Sequence, residues 1–144
     1  MSLFSVLSIG SSGMAAQRTR AELLVENLAN AETTRTPEGG PYRRKDAVFT
    51  SAGVESPFGS LFAGQLGGPE GVAVAEVVTD TREPERRYLP GHPDADAEGY
   101  VAFPRINPAE DMVDLMGASR GYQANVAAIS AVKDMIERSL DLLR

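Results

Sequence analysis

The sequence contains no cysteine and a single histidine, His92. Without cysteine there is no disulfide and no thiolate metal site, and one imidazole leaves little for zinc or general-base chemistry. Basic residues are in deficit as well: 14 Lys and Arg stand against 20 Asp and Glu, a net charge of −6 with a pI near 4.8. That balance argues against the phosphate-neutralising grip on which sequence-independent nucleic-acid binding depends. A long apolar run is missing too. Met1 to Gln17 carries no charged side chain, yet it lacks the basic n-region of a secretory signal, is shorter than a ~20-residue membrane span, and is interrupted by Ser2, Ser5, Ser8, Ser11 and Ser12. The expectation is neither a transmembrane anchor nor a cleaved Sec signal, so any passage out of the cytoplasm takes another export route. With 144 residues, 42% of them hydrophobic, the chain is one domain with a modest core.

Glycine and proline are scarce at the two ends, and there the pattern is helical. From Asn107 onward, Met112, Leu115, Ser119, Tyr122, Val126, Ile129, Lys133, Ile136, Leu140 and Leu143 recur in alternating steps of three and four, a heptad seam that wants a partner helix. Its start is well marked: Asn107 as N-cap, Pro108 in the first helical position, and Glu110 placed for a capping box. A second seam runs through Leu3, Leu7, Gly10, Met14, Gln17, Ala21, Leu24, Leu28 and Ala31. Gly10 and Gly13 weaken it by ~1 kcal/mol each relative to alanine, so firm helix is expected from Met14 to Ala29, with the first dozen residues helical only when packed. Gly117 and Gly121 lie one turn apart inside the last helix, where the missing side chains allow another backbone to come close.

Between Thr36 and Asn107 the composition changes: ten of the fourteen glycines and eight of the nine prolines fall there, which excludes helix. Alternation and Val/Thr enrichment predict a strand over Val72–Asp80, with shorter strands at Tyr42–Thr50, Arg86–Leu89 and Tyr100–Phe103 and the longest, most mobile loop at Ser51–Gly71.

Motifs that carry chemistry are weak. Asp94, Asp96, Glu98 and Gly99 match part of a calcium-binding EF-hand loop, but Arg105 stands where its last ligand should be, and an acidic turn between strands is the better reading. Ser130 and Lys133 fit the S-x-x-K spacing of acyl-transfer enzymes without the accompanying motifs. The Gly10–Gly13 run follows no strand and has no phosphate-loop spacing. No catalytic residue, metal site, cofactor or small-molecule substrate is expected. Arg43, Arg44 and Lys45 form a basic cluster in an acidic protein, either a solvated strand edge or a salt-sensitive contact with an acidic face of a neighbouring copy.

One combination of motifs is specific. Asn27-Leu28-Ala29-Asn30-Ala31 followed by Glu32-Thr33-Thr34 resembles the N-terminal signature of the axial proteins of the bacterial flagellum, the rod and hook family. Pro41-Tyr42-Arg43-Arg44-Lys45 with Val48-Phe49, Gly99-Tyr100-Val101 with Pro104, and Ala118 to Asn125 narrow the likeness to proximal-rod members. The resemblance implies an α+β fold in which a long N-terminal helix with the start of its linker (1–36) and a long C-terminal helix (107–144) pair as a coiled-coil-like inner domain around a small β-hairpin and loop insert (37–106). It implies a non-enzymatic structural subunit of the rod, which assembles by terminal-helix packing into a tube that transmits torque to the hook and encloses the export channel. It further implies a place in the basal body across the periplasm, with copies of the chain and other rod proteins as partners and export through the flagellar type III apparatus. The residues expected to pack, within or between subunits, are Met14, Leu24, Asn27, Leu28, Asn30 and Ala31 on the first helix. On the last they are Met112, Leu115, Gly117, Gly121, Tyr122, Val126, Ile129, Ile136 and Leu140. A soluble helical adaptor or export chaperone of a type III system is the competing reading, since it too would expose amphipathic helices.

Overall fold

A computed structural model describes residues 3–53 and 70–141. Two helices, α1 (Leu3–Ala29) and α2 (Pro108–Asp141), flank four strands: β1 (Lys45–Gly53), β2 (Glu70–Thr79), β3 (Glu85–Tyr88) and β4 (Tyr100–Phe103). The class is α+β, as the sequence predicts. At ~1.5 Å per residue the helices are about 40 and 50 Å long, and they pack against each other in opposite directions. Arg20 of α1 faces Asp114 of α2, Gln17 faces Gly121, Gly13 faces Asn125 and Gly10 faces Ile129, so one numbering rises as the other falls.

Helix α1 begins earlier than its propensity predicts. The Gly10–Gly13 run is helical because α2 lies directly on it: a methyl group on Gly10 would sit 3.0 Å from Ile129 Cγ1, and one on Gly13 would sit 3.0 Å from Asn125 Nδ2. The glycines that weaken the isolated helix are those that let the pair come close. Helix α2 starts where predicted, with Asn107 Oδ1 accepting a hydrogen bond from the Ala109 N–H at 3.2 Å.

The predicted α2 seam needs a correction. Leu115, Ile129 and Ile136 are at least half-covered, but Met112, Ser119, Val126, Lys133 and Leu140 are exposed, as is Tyr122. The covered positions lie one residue earlier, at Asp111, Ala118, Asn125 and Val132. A search for apolar spacing is drawn to Met112 and Val126, whereas a close helix pair selects small or internally satisfied side chains on its inner face. Asn125 fits there because its amide donates back to the Gly121 carbonyl at 3.0 Å.

In the insert, β1 and β2 form one antiparallel pair and β3 and β4 another. The β1–β2 register slips between Val48 and Phe49, which leaves Ala75 as an extra residue on β2. Ala47 and Phe49 are partly covered and alternate with exposed Asp46 and Val48, the pattern of a strand with one packed face. The ends of the predicted 51–71 loop are strand, Ser51–Gly53 in β1 and Glu70–Gly71 in β2; the rest of that loop, 54–69, and Leu143 lie outside the described residues. The remaining strands fall within three residues of their predicted limits.

Candidate functional site

Helix, strand and helix meet at a polar junction. Asn27 is fully buried near the end of α1. Its Nδ2 donates to the Lys45 carbonyl at 2.8 Å, while its Oδ1 accepts from the Lys45 N–H at 2.9 Å and from the Tyr42 hydroxyl at 3.0 Å. One side-chain amide thus pairs with a strand's backbone as a neighbouring strand would, and fixes the start of β1 on α1. Between them the chain reverses through Gly39 and Gly40, both at positive φ (92° and 78°), where the Thr36 N–H donates to the Gly40 carbonyl. Asn30 finishes the helix: its amide donates to the Glu26 carbonyl and its oxygen accepts from the Thr33 hydroxyl. The asparagines and threonine of the signature are therefore structural fastenings.

A second fastening joins β1 to α2. Arg44, just before β1, donates through Nη1 to Oδ1 of the completely buried Asp111, and through Nε to Asp46. Burial works against the Arg44 charge, but the hydrogen bonds and fields of Asp46 and Asp111 outweigh it, so its proton is held above the usual range. Among the described residues Asp111 Oδ2 has no hydrogen-bond partner. Tyr42, also buried, has its hydroxyl pushed up to about 12, by burial first and then by Glu26. Lys45 reaches Glu26 at 2.6 Å. Of the basic cluster, Arg44 and Lys45 thus have partners within the chain, and Arg43 is the exposed member, its Nη1 on the Asp80 carbonyl at 3.1 Å.

Beside this junction α1, β1 and α2 enclose a cavity of about 240 Å³. Leu23, Leu24, Ala47 and Phe49 give it apolar walls, and Arg20, Lys45, Asp46 and Asp114 complete the lining. Leu24 is 3% exposed, whereas the four charged side chains are between 37% and 55% exposed, so the charges sit at the mouth.

The other packing residues divide. Met14 and Leu28 are partly covered on α1, as are Asn30 and Ala31 just beyond its end. Gly121 faces Gln17, whose Cδ would lie 3.1 Å from an added methyl, but an added methyl on Gly117 would meet nothing within 4 Å among the described residues. Met112, Val113, Met116, Tyr122, Val126, Met135 and Leu140 are between 41% and 67% exposed, so α2 carries a second, outward apolar surface. Sequence periodicity missed the inward role of Asp111, Ala118, Asn125 and Val132. The Asn107 cap four residues before Asp111, and the basic residue in the insert able to pair with it, were the available signals.

The motifs with chemical potential resolve into turns and surface pairs. Asp96 Oδ1 accepts from the backbone N–H groups of Glu98 and Tyr100, and Asp94 accepts from the Thr34 hydroxyl at 2.8 Å, so the acidic loop is a β3–β4 turn tied to the end of α1. Among the described residues no group of His, Asp and Glu is arranged to hold a metal, and no helix is long and apolar enough to cross a membrane. Ser130 is exposed, and Lys133 lies 3.7 Å from Glu137.

Residues 97–142 match the flagellar basal body rod FlgEFG protein C-terminal family. The whole chain is 40% identical to the flagellar basal-body rod protein FlgC of Borreliella burgdorferi, with 99% of that protein covered. It is 38% identical to the FlgC of Bacillus subtilis, over 99% of both chains. With the FlgC of Salmonella typhimurium it shares 40% identity over 99% of this chain and 98% of the relative.

Proposed function

From the premise that this chain belongs to the FlgC family of flagellar basal-body rod proteins, we propose how it builds the rod. It is a structural component of the flagellar rod. The antiparallel helix pair, α1 with α2, forms the inner part of the subunit, and the outward face of α2 packs on neighbouring rod subunits. The observation that carries this is the apolar surface left on α2 after α1 has been covered, Met112, Met116, Tyr122, Val126 and Leu140 among it. A lone domain has no use for so long an apolar stripe, and burial in a neighbour returns ~25 cal/mol per Å² removed from water. A contact between different faces of successive subunits does not close on itself and generates a helical tube. The insert, 37–106, stands outside the helix pair, where exposed Arg43 is offered to an acidic face of a neighbour. Further parts of the same reading are residence in the proximal segment across the periplasm, export through the flagellar type III apparatus, and a mechanical rather than catalytic role in passing torque towards the hook. Their support is the family resemblance.

The test uses Val126→Asp and Met116→Asp, both on the outward face. Each purified variant should keep the helix content and melting temperature of the parent, while cells carrying it lose swimming and lose the protein from isolated basal bodies. Normal swimming by both would overturn the assignment of this face to assembly.

A further inference from the structure

Ser12 stands in the sequence as an interruption of an uncharged run, and in the fold it reaches from α1 to a strand. Its hydroxyl donates to the Ile9 carbonyl at 2.8 Å and accepts from the Val72 N–H of β2 at 3.1 Å. Val72 lies opposite Ser51 of β1, yet its N–H goes to the helix, so it belongs to a non-hydrogen-bonded pair, whose backbone groups point away from the partner strand. The same holds for Lys45, opposite Thr79, whose N–H and carbonyl both go to Asn27. Helix α1 therefore grips the outer edge of β1 at one end of the pair and the outer edge of β2 at the other. We propose that Ser12 is a positioning residue, the far clamp of a two-corner grip that holds the β1–β2 pair at one angle across α1.

Three observations carry this. The spans agree: Ser12 and Asn27 are fifteen positions apart on one helix, about 22 Å at ~1.5 Å per residue. Lys45 to Ser51, the residue opposite Val72, is six residues of strand, about 20 Å at ~3.3 Å each. Helix and strand thus run alongside in opposite directions, with α1 passing from the free edge of β1 to that of β2. Packing beneath the strands does not fix the angle by itself. A cavity of about 240 Å³ separates Leu23 and Leu24 from Ala47 and Phe49, and β2 is exposed from Ala75 to Thr79. Apolar contact is non-directional, whereas bonds at diagonally opposite corners set an orientation. Finally, Ser12 lies between Gly10 and Gly13, on which Ile129 and Asn125 of α2 are packed, so the clamp is mounted where α1 is itself held. With the Asn27 corner alone the pair is free to swing about Lys45; a subunit repeated along a rod needs one angle in every copy.

The test uses the full chain as an isolated subunit. Ser12→Ala removes the hydroxyl while keeping a good helix former, and Ser12→Thr, whose hydroxyl can bond the carbonyl one turn back, restores it. Exchange of the Val72 amide hydrogen, followed by NMR, should quicken about two- to tenfold in Ser12→Ala, the factor that the net worth of one hydrogen bond gives. The Lys45 amide should stay as protected as in the parent. The chain has no cysteine, so nitroxide labels can be placed at Ser130→Cys on α2 and Glu70→Cys on β2, both exposed. The distance distribution between them should broaden with Ser12→Ala and narrow again with Ser12→Thr. Val72→Pro, which removes the donor at an outward edge position, should broaden it as much, with no further effect of adding Ser12→Ala. An unchanged distribution in Ser12→Ala, failure of Ser12→Thr to restore it, or equal quickening at Lys45, the sign of a general loosening, would overturn the proposal. Because the readout is on the isolated subunit, each of those results leaves the rod reading standing.

Discussion

Asn27, Arg44 and Asp111 form a small polar centre in a protein with few large buried side chains. Removing one partner of a buried ion pair typically costs 3–5 kcal/mol, because the other charge is left in place, whereas replacing both by apolar groups is often neutral. Arg44→Leu, which strands the completely buried Asp111, should therefore destabilise the subunit by about 3–5 kcal/mol in urea unfolding. Arg44→Met combined with Asp111→Leu should recover most of that loss, and a double variant as unstable as the single one would show that the pair's charges are not what matters. Tyr42 adds a pH signature. Its folded-state value of about 12 lies above the ordinary 10, so the folded state favours the protonated hydroxyl. That contribution is fully present below pH 10 and is lost as pH rises from 10 to 12. Thermal melts should fall in this window, and Tyr42→Phe should remove that step while lowering stability at neutral pH through the lost bond to Asn27.

The helices divide glycine between two uses. Gly10 and Gly13 are filled against α2, while Gly117 has nothing within 4 Å of an added methyl among the described residues. Gly117→Ala should therefore stabilise the isolated subunit by about 0.8–1 kcal/mol, the propensity difference between the two residues. If the open face of Gly117 is where a neighbouring backbone approaches, the same substitution should impair swimming. Gly10→Leu should instead destabilise the isolated subunit by ~1–3 kcal/mol through overpacking on Ile129. Denaturation midpoints and swarm diameters of the two variants, measured together, check both statements. This contrast also marks how far the elements could be read from sequence. Strand limits, the Asn107 cap and the end of α1 are local chemistry and were legible. The inner face of α2 was not, because Ala118 and Asn125 are selected by a close approach that only the paired helices define. Nor could periodicity separate the covered face from the outward one, since both recur in threes and fours: of the nine described seam residues, Leu115, Ile129 and Ile136 are partly covered and the other six are exposed.

For the whole molecule, the family signature and the physics meet at the junction. Asn27 of the signature holds α1 to β1, Arg44 holds the start of β1 to α2, and the insert is thereby fixed to the helix pair at a point where α1 ends and α2 begins. A subunit that must carry load between neighbours benefits from such fastening, because force applied to the insert reaches both helices through hydrogen bonds and a buried ion pair. The outward face of α2 stays apolar. Mass spectrometry of detergent-resistant rods from purified basal bodies, with a deletion strain beside it, tests this account most directly. The protein should be present in the rod, and its deletion should remove both rod and swimming. A rod that assembles without it, or its absence from a rod whose assembly still depends on it, would contradict the claim that it is a building subunit.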